Sequence, residues 1–181
     1  MIYQGKNITL KNGTAALLRA PSPDDAAGVL QFLQNACGES DYLARYAEEL
    51  RFTVQSEAAY LKATLDNPDG MMIVCEVDGE IAGNCEIIFM NTRKTRHRAA
   101  VMIGLQQKYW GLGIGGAMLG ELIAEARRRG TEQVELEMIE GNERAMALYR
   151  KMGFSVMAEH PDAFILKDGS RRSAIFMRLV L

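Results

Sequence analysis

Apolar positions along this chain alternate between the two-residue period of strands and the wider spacing of helices. "TAALLRAP" (14–21), "MMIVCEV" (71–77), "EIAGNCEIIF" (80–89), "RAAVMIGL" (98–105) and "QVELEMI" (133–139) read as strands. Asp78-Gly79 suits the tight turn of a hairpin between the second and third of these. Two more strands, turning at Asp168-Gly169, close the chain. Helices fall between them. Ser22, Pro23, Asp24 and Asp25 combine a capping hydroxyl, an N-terminal proline and first-turn acids, which predicts a helix running to about residue 34. Ser56 is expected to cap a second helix over 57–66, stopped by "NPDG". Ile114, Met118, Leu122 and Ala126 are spaced to bury one face of a third, over 114–129. Its last turn carries Arg127, Arg128 and Arg129 before Gly130 ends it. A short capped helix is expected over 142–153. Residues 35–55 have no clean period, although "DYLARYAEEL" (41–50) has the spacing of an amphipathic helix with solvated charges.

This pattern predicts an α/β protein, and composition limits it to one domain. The chain has 181 residues, 48% of them hydrophobic, enough for a substantial core, and no linker or repeat divides it. Net charge is −2, so no global basic field argues for nucleic acid, and "RKTRHR" (93–98) reads as a solvated hairpin loop. No apolar run approaches the roughly 18 residues of a membrane span. The N-terminal segment lacks the apolar core of a signal peptide, so a cytoplasmic location is expected. Cys37, Cys75 and Cys85 lack paired spacing, and His97 and His160 stand alone. Reduced buried thiols and no metal site are the expectation.

Glycine is costly near a helix, yet "KYWGLGIGGAML" (108–119) carries four, at 111, 113, 115 and 116. They lie between a strand and a first helical turn whose N–H groups have no partner within the helix. A backbone without Cβ there lets an anion approach, and the helix dipole favours negative charge. The stretch is therefore a candidate phosphate cradle; close helix–sheet packing is the plainer alternative. "GLGIGG" also satisfies the dinucleotide pattern G-x-G-x-x-G, with Glu135 or Glu137 about 20 residues on. Against that, "QQKYW" separates the glycines from their strand, and no further βα units follow. A P-loop is excluded because no Lys-Ser or Lys-Thr follows the glycines.

The order strand, "QQKYWGLGIGGAMLGELIAEARRRG", strand, "EGNERAMALYRKMGF" resembles the GCN5-related N-acetyltransferase (GNAT) superfamily, most closely over residues 98–154. The resemblance implies a mixed, splayed β-sheet flanked by helices and acetyl-CoA as donor to a primary amine. It places the coenzyme A diphosphate on the backbone from Gly111 to Gly116, including Leu112, Gly113, Ile114 and Gly115. Trp110 stands at the first signature position, where the family usually has Gln or Arg, so a polar contact is lost there. Ile103 and Leu105 fall on the splayed strand that offers N–H groups to the pantetheine arm and the thioester carbonyl.

The resemblance also implies roles in the second motif. Asn142 falls on an asparagine that contacts the cofactor arm, while its position equally predicts a helix cap. Tyr149 falls on the tyrosine that protonates the departing thiolate, a role that suits a phenol with a reference pKa near 10. Arg144, Arg150 and Lys151 are candidates for the terminal phosphates, or simply solvated charges. For the base, Glu86 on a central strand is favoured over Glu137. Glu39, Asp41, Tyr42 and Tyr46 fall in the segment that walls the acceptor cleft. The apolar "AIFMRLVL" is compatible with a homodimer through the late strands. A catalytically silent acyl-CoA-binding regulator and an enzyme of longer acyl groups stay open.

Overall fold

The computed structural model describes residues 2–181. Its elements are β1 (Lys6–Thr9), β2 (Ala15–Arg19), α1 (Ala26–Glu39), α2 (Val54–Asp66), β3 (Gly70–Val77), β4 (Glu80–Phe89), β5 (Arg98–Leu105), α3 (Ile114–Arg128), β6 (Gln133–Ile139), α4 (Glu143–Lys151), β7 (Ser155–Ile165) and β8 (Arg171–Val180). The eight strands form one sheet in the order β1-β2-β3-β4-β5-β6-β8-β7. Every neighbouring pair is antiparallel except β5–β6.

Four features differ from expectation. β1 was not foreseen, and α1 runs on to Glu39. The cap of α2 is Thr53, whose Oγ1 accepts the Ser56 N–H at 3.1 Å; Ser56 is the other half of that capping box. Residues 41–50 are not a helix but turns ending in a short 3-10 turn, Ala47–Glu49. Tertiary contacts hold their aromatic residues instead. Tyr42 donates its hydroxyl hydrogen to Gly141 O at 3.0 Å, and Tyr46 accepts the Lys167 N–H at 2.9 Å. Lys167 also places its ammonium 4.3 Å from the Tyr46 ring centroid and pairs with Glu48 at 2.6 Å.

The two faces of the sheet carry separate cores. Ile114, Met118, Leu122 and Ala126 of α3 are all buried against Cys85, Ile87, Val101 and Val134, on the face the spacing predicted. On the other face, Val29 and Phe32 of α1 and Leu61 of α2 pack on Met72, Val74 and Ile81. Burial of each large side chain stabilises by about 1.5–3 kcal/mol. Phe32 reaches the sheet where Gly104 lacks a side chain: a Cβ there would lie 3.2 Å from Phe32 Cζ.

Glu57 is an exception within that second face. It shares the inward side of α2 with Leu61 and Thr64 and is only 5% exposed. Burial raises its carboxyl above the usual carboxylate range. A raised folded-state value means the protonated form folds best, so stability is lost as pH rises through that value. Glu57→Gln is therefore expected to raise Tm more at pH 8 than at pH 4, as read by thermal melts at both.

The feature that positions the site is a parting of strands. β5 and β6 pair only at Arg98↔Gln133, Ala99↔Val134 and Ala100↔Glu135. Arg98 pins that end, donating from Nε and Nη2 to the two Glu135 oxygens at 2.6 Å each. Beyond it β6 stays with β8 as far as Ile139↔Ala174, while β5 leans with β4 as far as Leu105↔Gly83. The sheet opens into a V.

Candidate active site

The "QQKYW" insertion is what carries the chain from β5 to the glycines. Gln106 is 1% exposed and ties the turn down. Its N–H donates to Ala82 O at 3.0 Å and its Nε2 to Ile81 O at 2.7 Å. Gln107–Tyr109 then make a 3-10 turn, and Trp110 Nε1 donates back to Leu105 O at 3.0 Å. Gly111 and Gly113 follow with φ of 78° and 99°, a left-handed backbone that side chains disfavour. Gly113 is the N-cap of α3, and its C=O accepts the Ala117 N–H at 3.1 Å. The N–H groups of residues 114–116 are then the unpaired donors of a 15-residue helix, aimed at the cleft mouth. Gly115 answers a different need, because a Cβ would sit 3.0 Å from Leu148 Cδ2 on α4. Left-handed backbone and close packing thus fall at different glycines.

The V holds an open cleft of about 830 Å³. Backbone groups alternate along a strand, and Gln106 N–H points into β4 while Leu105 O points to Trp110. The N–H groups of Ile103 and Leu105 therefore face away from β4, into the space β6 has vacated. Asn142 caps α4 through Oδ1, which accepts the Ala145 N–H at 3.1 Å, so its amide hydrogens are left for the cleft. Tyr149 lies behind, 7% exposed, with Phe154 at 6.0 Å between ring centroids. Its hydroxyl has no hydrogen-bond partner among the described residues and is not sealed from solvent. Burial pushes the phenol up to about 12, so it stays protonated through neutral pH.

Ile103, Leu105, Trp110, Gly111, Gly113, Ile114, Gly115, Gly116, Asn142, Tyr149 and Lys151 all line this cleft. Leu112 does not. Its carbonyl accepts the Lys11 N–H at 3.1 Å and its side chain packs on the core. Glu86 is also outside the lining. It is 8% exposed, directly across from Met102 on β5, and accepts a hydrogen bond on Oε2 from the Tyr60 hydroxyl at 3.0 Å. Burial raises the Glu86 carboxyl, and the Tyr60 hydrogen bond partly offsets that. Among the described residues that line the cleft, Glu137 is the carboxylate; Tyr42, Leu43, Met102 and Phe164 are also in the lining. Glu135 is committed to Arg98.

Two lining cations besides Lys151 lie against the glycine loop. Arg144 lies over the Trp110 ring, Cζ 4.9 Å from its centroid, and Lys11 reaches in from the turn after β1. Lys11 was missed because nothing in "LKNGT" says that this turn meets a loop a hundred residues later.

A family described as acetyltransferase (GNAT) family matches residues 39–154. The chain belongs to this family. A 5-NmdU N-acetyltransferase of Pseudomonas phage PaMx11 is 30% identical over 145 residues, covering 79% of this chain and 89% of that protein. Among solved structures, a GNAT-family acetyltransferase of Streptococcus pneumoniae superposes with a TM-score of 0.84 at 23% identity, over 92% of this chain and 99% of its own. A putative acetyltransferase of Salmonella typhimurium, solved with acetyl-CoA, superposes at 0.77 with 21% identity, over 91% of this chain and 92% of its own. The protein is an acetyl-CoA-dependent acyltransferase of the GNAT fold. The dinucleotide reading of "GLGIGG" falls with that finding. No described helix is long and apolar enough to cross a membrane.

Proposed function

We propose that the protein moves the acetyl group of acetyl-CoA to a primary amine, of a small molecule or a protein N-terminus, by direct attack in a ternary complex. Tyr149 is the general acid and Glu86 the base. The observation that carries this reading is the Tyr149 hydroxyl, unpartnered and protonated, in a cleft bordered by the outward N–H groups of Ile103 and Leu105. Bound acetyl-CoA supplies an activated acyl thioester. The loop from Gly111 to Gly116 fits its diphosphate, since Gly111 and Gly113 hold a backbone that a Cβ would strain and the α3 N-terminus offers free donors. The Ile103 and Leu105 N–H groups stabilise charge that develops on the acyl oxygen. Tyr149 gives its proton to the departing sulfur. Glu86 takes the amine proton by way of solvent from across Met102. Positioning in the cleft supplies much of the remaining rate.

Calorimetric titration with acetyl-CoA, coenzyme A and NAD, followed by thiol-release assays over an amine panel, tests this. Binding of both coenzyme A forms, none of NAD, and amine-dependent thiol release are expected. Binding without turnover would instead mark a silent acyl-CoA-binding module. The pH profile tests the base. The Glu86 carboxylate forms only above its raised pKa, so kcat/KM should climb with pH through a value above the ordinary carboxylate range. Glu86→Gln should remove that limb and lower the plateau about 100-fold.

A further inference from the structure

Position 110 lacks the cationic or amide side chain that would ordinarily be expected beside the glycine loop, yet a guanidinium is present at the same place. It comes from α4. Arg144 Cζ sits 4.9 Å from the Trp110 ring centroid, and Arg144 Nη1 would lie 3.8 Å from a Cβ at Gly111. Trp110 is itself held in place by the Nε1 bond to Leu105 O. On the other flank Lys11 Cγ would lie 3.9 Å from a Cβ at Gly113, and the Lys11 N–H is tied to Leu112 O within the same loop. A cationic side chain therefore lies beside each of the two left-handed glycines.

Neither cation has a carboxylate partner among the described residues. Eight other cations, Lys6, Arg19, Lys62, Arg98, Lys108, Arg128, Arg129 and Lys167, are held in ion pairs, so what sets Lys11 and Arg144 apart from the remaining unpaired cations is their place against the two left-handed glycines. Both are exposed and line the cleft. An unpaired guanidinium over an aromatic face keeps its edge donors free for a ligand, and stacking removes rotamer freedom that binding would otherwise have to remove.

We propose that Trp110, Arg144 and Lys11 form one clamp for the diphosphate of coenzyme A, in which Trp110 is the platform that aims Arg144. The clamp rests on the acetyl-CoA reading above. It adds that side-chain recognition of the phosphates has moved from the glycine loop to α4 and the β1–β2 turn, and that Trp110 acts through Arg144 rather than on the ligand. Two consequences distinguish it from a pair of solvated surface charges. Recognition by these residues is confined to ligands that carry the diphosphate, and the effects of Trp110 and Arg144 are not additive.

Calorimetric titration of the purified protein with coenzyme A and with pantetheine, at low and high salt, reads both. Arg144→Gln and Lys11→Met should each weaken coenzyme A about tenfold or more, leave pantetheine unchanged, and flatten the salt dependence. Trp110→Leu should weaken coenzyme A by a similar factor, with Trp110→Leu/Arg144→Gln no weaker than Arg144→Gln alone. Trp110→Phe keeps a ring and should retain most of the coupling, which guards against a loop that simply collapses. Coenzyme A binding within twofold of wild type in both cation variants, or full additivity in the double variant, overturns the clamp and leaves the acetyl-CoA reading standing. Wild-type protein that fails to bind coenzyme A at all overturns both.

Discussion

Tyr149→Phe is expected to lower kcat about 100-fold or more while leaving the affinity for coenzyme A unchanged. The substitution removes one oxygen and nothing else. Phe keeps the ring that packs 6.0 Å from Phe154, and the lost hydroxyl has no protein partner whose hydrogen bond would break. Stability should therefore stay near wild type, which separates a chemical role from a structural one. Because burial holds the phenol at about 12, the wild-type acid stays loaded across the neutral range and gives up its proton only at strongly alkaline pH. Steady-state rates with a competent amine, beside calorimetry with coenzyme A, make the comparison. Equal kcat in the two proteins would remove Tyr149 from the reaction and leave it as a packing aromatic.

Phe32→Ala is expected to destabilise the fold by about 3–5 kcal/mol, because a fully buried aromatic leaves a cavity as well as losing its transfer free energy. For a domain of this size that lowers Tm by roughly 6–20 °C. The site makes the effect functional as well as structural. Phe32 closes on the sheet at Gly104, between Ile103 and Leu105, so it supports the strand whose N–H groups face the cleft. Thermal melts measure the stability term, and coenzyme A titration well below the melting point measures the rest. A loss under about 1 kcal/mol would mean that α1 packs on the sheet far more loosely than its burial implies.

Much of the fold was legible because local rules and tertiary demands coincide. The 114–129 helix was read from four residues at helical spacing, and those same four are buried in α3. The hairpin at Asp78-Gly79, the Gly130 stop and the short capped helix followed from turn and cap chemistry that acts within a few residues. The stretch 41–50 shows the opposite. Its spacing suits a helix, but Tyr42 and Tyr46 gain more from Gly141 and Lys167, about a hundred and a hundred and twenty residues away, than from i,i+4 neighbours. Such partners leave no trace in a local window.

The same division runs through the site. The order of glycines, asparagine and tyrosine along the chain was enough to locate the Asn142 helix cap and to name residues that line one cleft, because each position depends on spacing within one motif. What faces what was decided only in three dimensions. Leu112 lies inside the signature yet turns to the core, since its carbonyl is taken by Lys11. Glu86 is set one strand back from the cleft, while Glu137 stands within it. Trp110 looked like the loss of a polar contact until α4 brought Arg144 over its ring. Sequence alone determined most of the elements and the glycine-rich turn before α3, which are short-range properties. The cleft itself, the cations at its mouth and the carboxylates near it arise from the parting of β5 and β6, and that parting is set by competing strand partners distant in the chain.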